Sequence, residues 1–305
     1  MLKRYAKVIV NPIAGAFSTR RKWPHISRLL KHLGLVFDYE YTEGVGHAIE
    51  LAHQATQEGY PYLVAVGGDG TINEVANGIL SVDGLPETAL GVVSTGTGSD
   101  FVRSLGIPRD LNLACSSLIS SKRFEIDVGV VEYQSGGETH KRFFINGAGV
   151  GFDAVVVEKT RRLPRYFRGT IPYVCGLLGS LAGYRNKLVT LGVGDKVEEA
   201  RVLSVVVANG SYFGGGMKMA PYAEADDSLF DVVIVDDIGK YELLKAFPTV
   251  YNGKHASHSK VRMTKAMQIA VSSRERILVQ ADGELLGEAP VTFSLKPQAL
   301  SLVIQ

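Results

Sequence analysis

The sequence predicts an α/β protein of two domains, an N-terminal parallel-sheet α/β domain followed by a C-terminal antiparallel β-sandwich. From Tyr5 to about Leu118, apolar runs of strand length alternate with segments of helical period, the order that builds βαβ units and a parallel sheet. After Phe124 the chain changes to β-branched runs broken by Gly, Asp and Ser, the pattern of an antiparallel sandwich. The 305 residues, 46% of them hydrophobic, suffice for a large core, and the length allows one to three domains. The boundary is expected near Phe124, giving domains of residues 1–124 and 125–305.

Taken in order, "AKVIV" is a first strand ending at "NP", residues 21–33 read as a helix, "VFDYEYT" as a strand and "GHAIELAHQATQEG" as a helix. "YLVAV" is then a buried strand, "TINEVANGIL" a helix, "ALGVVS" a fourth strand, and residues 110–119 a further helix. Sandwich strands are expected in "EIDVGVVEY", "KRFFINGAG", "KLVTLGVG", "ARVLSVVVANG", "LFDVVIVDD", "AMQIAV", "ERILVQADGE" and "VTFSLK", with helical pieces near residues 150–184 and 239–253. The final "ALSLVIQ" either closes the sandwich or returns to the first domain, and periodicity leaves both open.

Several classes are excluded. A net charge of +2 is too mild for a nucleic-acid binder, and no RNA or DNA motif is present. Cys115 and Cys175 stand far apart and outside any metal-ligand spacing, so neither a zinc site nor a disulfide is expected, and the cytosol fits. "MLKRYAKVIVNP" reads as a strand entering a turn and not as a signal peptide. No window supplies the roughly 20 apolar residues of a spanning helix, so membrane contact is expected to be peripheral.

The densest signal is "VAVGGDGTINEVANGIL". A buried strand enters the turn Gly67, Gly68, Asp69, Gly70, after which Ile72, Val75, Ala76 and Ile79 follow a helical stripe. Thr71 and Glu74 have capping-box spacing, which predicts a helix starting there with its free N–H groups toward the crevice beyond the strand ends, where an anion binds well. Three glycines read alone suit equally a tight turn that needs positive φ. Asp69 favours chemistry: a carboxylate in a phosphate corner repels its ligand unless a divalent cation or a reacting group lies between them. "VNPIAGAF" after the first strand and "VVSTGTGSDFVRSLGIP" after the fourth place two more Gly-rich or Asn-rich corners on the rim where α/β sheets bind ligands. Neither a P-loop nor a dinucleotide GxGxxG occurs in strand-to-helix context.

"NPIAG", "GGDGTINEVANGI", "STGTGSDFVRSLGIP", "APYAEADDSLFDVVIV" and "ADGE" stand in the order found in the diacylglycerol kinase catalytic-domain family, and over nearly its whole length the chain resembles the soluble bacterial lipid kinases of that family. "GGDGT" alone also occurs in NAD kinases and phosphofructokinases. The resemblance implies ATP with Mg²⁺ held between two domains and phosphoryl transfer to a lipid hydroxyl such as that of diacylglycerol. By position, Asn11, Pro12, Ile13, Ala14, Gly15, Thr42, Gly68, Asp69, Gly70, Thr71, Ile72, Asn73, Glu74 and Thr97 would bind ATP. Asp69 would serve the metal-phosphate chemistry and Glu284 the proton transfer, while Arg103 and Asp127 match polar positions of the same cleft. A structural Mg²⁺ would be held by the carbonyls of Glu224 and Leu229 and the carboxylate of Asp227, hard oxygen donors that suit the ion. The chain departs from the family pattern at Ser228 for glycine, Ser99 for asparagine, and Ala16 for a basic residue whose place Arg20 or Arg21 could take.

On the lipid side, Lys159, Arg161, Arg162, Arg165 and Arg168 precede an uncharged stretch, residues 171–184, closed by Arg185 and Lys187. A basic-flanked apolar helix of that length suits peripheral contact with an anionic bilayer, and equally a helix packed on the sandwich. An NAD kinase on the same scaffold and a non-catalytic nucleotide or lipid sensor are the competing functions; the absent "TGSTAY"-like segment argues against the first, and the joint presence of Asp69 and Glu284 against the second. A homodimer is among the assemblies the chain could form.

Overall fold

The structure, a computed structural model, describes residues 5–84, 87–120, 122–161, 176, 178–181, 183–304. The chain divides into two compact units, Met1–Asp127 with Pro297–Gln305, and Val128–Lys296.

In the first unit β1 (Tyr5–Val10), β2 (Val36–Tyr41), β3 (Tyr62–Gly67) and β4 (Ala89–Ser94) pair in parallel in the order β2-β1-β3-β4. The long last strand β14 (Glu284–Val303) begins in the second unit and ends here, with Leu302 opposite Leu90 of β4 in parallel register. β3 and β4 are buried at every position, as strands inside a sheet covered on both faces must be. On one face Trp23, Ile26 and Leu30 of α1 (Ala14–His32), with Cys115 of α5 (Leu111–Ser117) and Leu118, pack on Val8, Val10, Val64, Val66 and Val93. α2 (His47–Gln57) and α3 (Asp69–Leu80) pack on each other and on β1 and β3. α4 (Asp100–Ser104) is a single turn after β4.

Two helix starts differ from expectation. α1 begins at Ala14, but Gly15, Ala16 and Phe17 have positive φ, so regular helix starts only after an irregular turn that no periodicity announces. α3 begins at Asp69, and its N-cap Gly68 contributes no side-chain bond. The Thr71–Glu74 capping box therefore does not form.

The second unit is a β-sandwich-like fold whose strands pair antiparallel. β9 (Lys196–Ala208) pairs through its first half with β8 (Lys187–Val193) and through its second with β7 (Gly147–Gly151) and β10 (Phe230–Asp236). β14 likewise pairs first with β13 (Leu278–Ala281) and then with β12 (Gln268–Ser272). With β13 on β7 and β12 on β8, the pairings close a ring, β9-β7-β13-β14-β12-β8. Its core holds Phe144 stacked on Phe230 with Phe293 edge-on, centroids 5.5 and 6.2 Å away.

The run "KRFFINGAG" is two strands, β6 (Glu138–Phe144) and β7, parted at Ile145 and Asn146, and β6 pairs with β5 (Arg123–Ser135). β11 (Val261–Ala266) pairs with β10 although the sequence pattern did not announce it, because half of its positions are exposed and carry Arg262, Thr264 and Lys265. α6 spans Phe152–Arg161, and a short helix spans Lys240–Ala246. Of the basic cluster and apolar stretch considered for membrane contact, Arg162, Arg165, Arg168 and residues 171–175, 177 and 182 lie outside the described residues. Among the described residues no helix is long and apolar enough to cross a membrane.

Candidate active site

In the first unit the segments after β1, β3 and β4 meet. Thr95 and Gly96 donate their N–H groups to the Gly67 carbonyl at 2.7 and 3.2 Å, and Asn11 donates its own to Val66 at 2.9 Å. Gly67, Gly68, Gly96 and Gly98 serve closeness and not dihedral freedom: neither they nor Gly70 has positive φ, which corrects the tight-turn reading. A Cβ on Gly96 would lie 2.6 Å from the Gly68 Cα, and one on Gly98 would lie 2.9 Å from Asp69 Oδ2. Gly15 is the different case, with φ +59 and the Thr95 carbonyl oxygen 2.4 Å from where its Cβ would stand.

The N-terminus of α3 is left without a side-chain cap, so its first N–H groups face out from a glycine frame. Space beside Gly70 is open, with no atom within 4 Å of a Cβ built there. Next to it in the chain is Thr71, whose Oγ1 accepts from Asn11 Nδ2 at 2.9 Å; Ile72 and Asn73 are buried, and Ile13 and Thr97 are exposed. Asn11 Oδ1 accepts the Ile13 N–H at 3.2 Å, which bends the chain through Pro12 and Ala14. Thr42 is buried and donates its N–H to Val10.

Three carboxylates of this unit do other work than spacing suggests. Glu74 accepts the N–H groups of Gly46 at 3.0 Å and Ala48 at 3.3 Å, capping α2 instead of its own helix. Asp69 is half-buried, and its Oδ1 accepts the Phe101 N–H at 3.2 Å, tying the β3 corner to the start of α4. Asp127 is fully buried and its Oδ1 accepts the Gln298 N–H at 2.8 Å, so it fastens the returning chain and presents no surface to a ligand. Arg103 is half-buried in the last turn of α4. Ser99, the residue standing for asparagine, has φ +57, and its Oγ bonds that of Ser94 at 2.9 Å. Ala16, standing for a basic residue, also has positive φ, and Arg20 is exposed nearby in α1.

In the second unit Glu284 opens β14 after a two-residue hairpin. Ala281 pairs with Glu284, and the turn residues Asp282 and Gly283 have φ +45 and +78. Asp282 binds three N–H groups, those of Ile145 at 2.8 Å, Asn146 at 3.1 Å and Gly147 at 2.8 Å, and donates its own to Gly147. Glu284 Oε2 lies 2.7 Å from Arg142 Nη2, both side chains about three-quarters buried at 24% and 22% exposure. Arg142 went unnoticed in the sequence because it follows four exposed polar residues of β6; only its antiparallel alternation could have marked it.

The acidic loop before β10 presents Asp227, whose Oδ1 accepts the Leu229 N–H at 3.0 Å and whose Oδ2 lies 2.5 Å from Lys265 Nζ. Lys265 stands opposite Asp231 in register and forms an ion pair with its buried Oδ2 at 3.4 Å. Burial pushes the Asp231 carboxyl up, offset in part by Lys265. Surplus negative charge and hard oxygen donors fit a divalent cation, with Lys265 as its competitor on Asp227. Among the described residues no three His, Cys, Asp or Glu side chains converge as a metal cage, so the carbonyls of Glu224 and Leu229 with waters would have to complete the shell. Ser228, standing for glycine, has φ +62.

The sequence model described as the diacylglycerol kinase catalytic domain matches residues 5–131, and that of the YegS C-terminal NAD kinase beta sandwich-like domain matches residues 147–304. The chain belongs to the diacylglycerol kinase catalytic-domain family. Similar proteins include the diacylglycerol kinases of Staphylococcus saprophyticus, 30% identical over 292 residues with 96% of this chain and 92% of that protein covered, and of Bacillus subtilis, 29% identical with 94% and 92% covered. Among solved structures, a putative diacylglycerol kinase from Bacillus anthracis superposes with a TM-score of 0.79 at 22% identity, covering 100% of this chain and 98% of that one. A second diacylglycerol kinase structure from the same organism gives 0.76 at 21%, covering 100% and 98%. At such identity the structures establish the shared family fold.

Proposed function

We propose that the chain is an ATP-dependent lipid kinase that transfers the γ-phosphoryl group to the hydroxyl of a diacylglycerol-like lipid. The observation that carries this reading is the uncapped α3 N-terminus in its glycine frame, lying inside the segment that matches the diacylglycerol kinase catalytic domain. The parallel-sheet unit binds the nucleotide and the sandwich unit takes the lipid.

Asn11, Pro12, Ile13, Ala14, Gly15, Thr97 and residues 68–71 bind ATP, the α3 N–H groups meeting phosphate oxygens, while buried Thr42, Ile72 and Asn73 and the α2-capping Glu74 support the site from behind. Asp69 faces the phosphate-bound cation, where its charge is neutralised instead of repelling the nucleotide. Phosphoryl transfer passes through a loose transition state, so position and charge compensation govern the rate more than base strength. Glu284 then needs only to accept the alcohol proton as the O–P bond forms, in an orientation set by Arg142. Glu224, Asp227 and Leu229 hold a Mg²⁺ that braces the loop leading into β10, and Arg103 serves the polar surroundings of the phosphates. A bound Mg²⁺ contributes charge neutralisation to both places. Work on a lipid acceptor from the cytosolic side, with peripheral contact to the bilayer through Lys159, Arg161 and the residues that follow, completes the proposal; a homodimer is compatible with it.

Incubation of the protein with γ-labelled ATP and, separately, diacylglycerol, phosphatidylglycerol, ceramide, sphingosine or NAD tests it. Label in a lipid product supports the proposal. Label in NAD alone would make the chain a nucleotide kinase, and label in none would favour a sensor.

A further inference from the structure

A two-residue hairpin leaves the N–H groups of both turn residues outside the strand ladder, and water usually takes them. In the turn that carries Glu284 both are captured. Asp282 gives its N–H to the Gly147 carbonyl at 2.8 Å, and Gly283 gives its own to Oε1 of Gln280 at 3.1 Å. The Gln280 side chain is held in turn: its Nε2 donates to Asp153 Oδ2 at 3.0 Å, and Ser204 Oγ donates to Asp153 Oδ1 at 2.5 Å. Gln280 is 6% exposed, and Gly149, its register partner on β7, is the position over which the Asp153 carboxylate lies. A Cβ on Gly149 would stand 1.8 Å from Asp153 Oδ2, so β7 has made room for this carboxylate.

An amide can face either way, and a carboxylate that only accepts removes the choice. Asp153 draws Nε2 toward itself and so turns Oε1 toward Gly283. We propose that Asp153 and Gln280 are positioning residues for Glu284, a carboxylate and an amide that together fix the hairpin from which the proton acceptor projects. This rests on the reading of Glu284 as that acceptor. Asp153→Asn is nearly isosteric, but its Nδ2 can donate to Gln280 Oε1; the amide then turns over and sets two donors, Gln280 Nε2 and the Gly283 N–H, against each other. Gln280→Met keeps the volume and loses both bonds.

The test is steady-state kinetics with ATP and diacylglycerol in mixed micelles for wild type, Glu284→Gln, Asp153→Asn, Gln280→Met and the double variant Glu284→Gln/Gln280→Met, with hydrogen exchange of the Gly283 amide followed by NMR. Asp153→Asn and Gln280→Met are expected to lower kcat by about 10- to 100-fold, the range that misplacement by an ångström produces, with KM for ATP within about two-fold. The Gly283 amide should exchange faster in both, and Gln280→Met should cost nothing further once Glu284 is Gln, since residues acting as a unit are not additive. Should Glu284→Gln lose turnover while Asp153→Asn keeps wild-type kcat, the positioning role is overturned, whether or not Gln280→Met folds. A further loss from Gln280→Met in the Glu284→Gln background overturns it too. Wild-type turnover in Glu284→Gln overturns the underlying reading instead.

Discussion

The corner after β3 and the hairpin after β13 both present a carboxylate, but they are built by opposite means. Around Asp69 side chains are kept out: Gly68 and Gly96 let two turns of the backbone approach, Gly98 leaves room for the carboxylate, and the N–H groups of α3 remain uncapped. Around Glu284 side chains are brought in: Asp282 gathers three N–H groups, Gln280 and Asp153 hold Gly283, and Arg142 holds Glu284 itself. An anion with many oxygens is met best by bare backbone donors, whereas one proton acceptor must be aimed, and aiming needs fixed neighbours.

That contrast can be broken first at Asp69. Asp69→Asn keeps an oxygen for the Phe101 N–H and removes the charge, so turnover should fall by about 10²- to 10³-fold, the loss typical of a missing electrostatic contact in a transition state, with the melting temperature within a few degrees. Turnover near wild type would reduce Asp69 to a cap for α4.

The glycines sharpen the comparison. Gly96→Ala drives a methyl into the Gly68 backbone and should lower both melting temperature and ATP affinity, the latter by about 10²-fold at a site that tolerates little misplacement. Gly70→Ala meets open space in a helical turn and should hold or raise stability, by about 0.4–1 kcal/mol. Its ATP affinity should nonetheless fall, because the open space is where phosphate comes close. Calorimetric titration with ATP and a thermal melt for each variant separate these outcomes; unchanged affinity in Gly70→Ala would remove the phosphate from α3.

In the second unit the contrast predicts a pH effect. Burial pushes the Asp153 carboxyl up from its usual range, while Ser204 and Gln280 pull it back; burial, and after it the Asp153 charge, also raises the Tyr184 hydroxyl. A folded value raised above the unfolded one means a contribution to stability that is complete below the unfolded value and lost as pH climbs through the folded one. Asp153→Asn does not titrate, so its melting temperature should gain on wild type as pH climbs above the ordinary carboxylate range. A difference that stays constant as pH climbs would mean Asp153 is as comfortable charged as neutral. The smallest effect is expected at Ser99, where relief of the positive φ is offset by loss of the bond to Ser94: Ser99→Gly should shift stability by less than about 1 kcal/mol in a urea melt.

Alternation of apolar runs made the β/α order of the first unit legible, and the glycine corners were legible because backbone proximity leaves its mark as glycine at each contact. Spacing misassigned Glu74, since a glutamate that caps a neighbouring helix looks in sequence like one that caps its own. The second unit hid more. Half of β11 is exposed, and Arg142, Gln280, Asp153 and Lys265 matter through partners up to 142 positions away, as for Arg142 and Glu284, which only the antiparallel registers bring together.

The most direct test of the account is the single-turnover rate of phosphoryl transfer from saturating ATP to diacylglycerol by wild type and Glu284→Gln, with ATP affinity measured on the same samples. The account predicts phosphorylated lipid from wild type and a rate lowered by about 10²- to 10⁴-fold in the variant, at ATP affinity within about two-fold. A wild-type rate in Glu284→Gln, or a loss that appears wholly as weaker ATP binding, would contradict it.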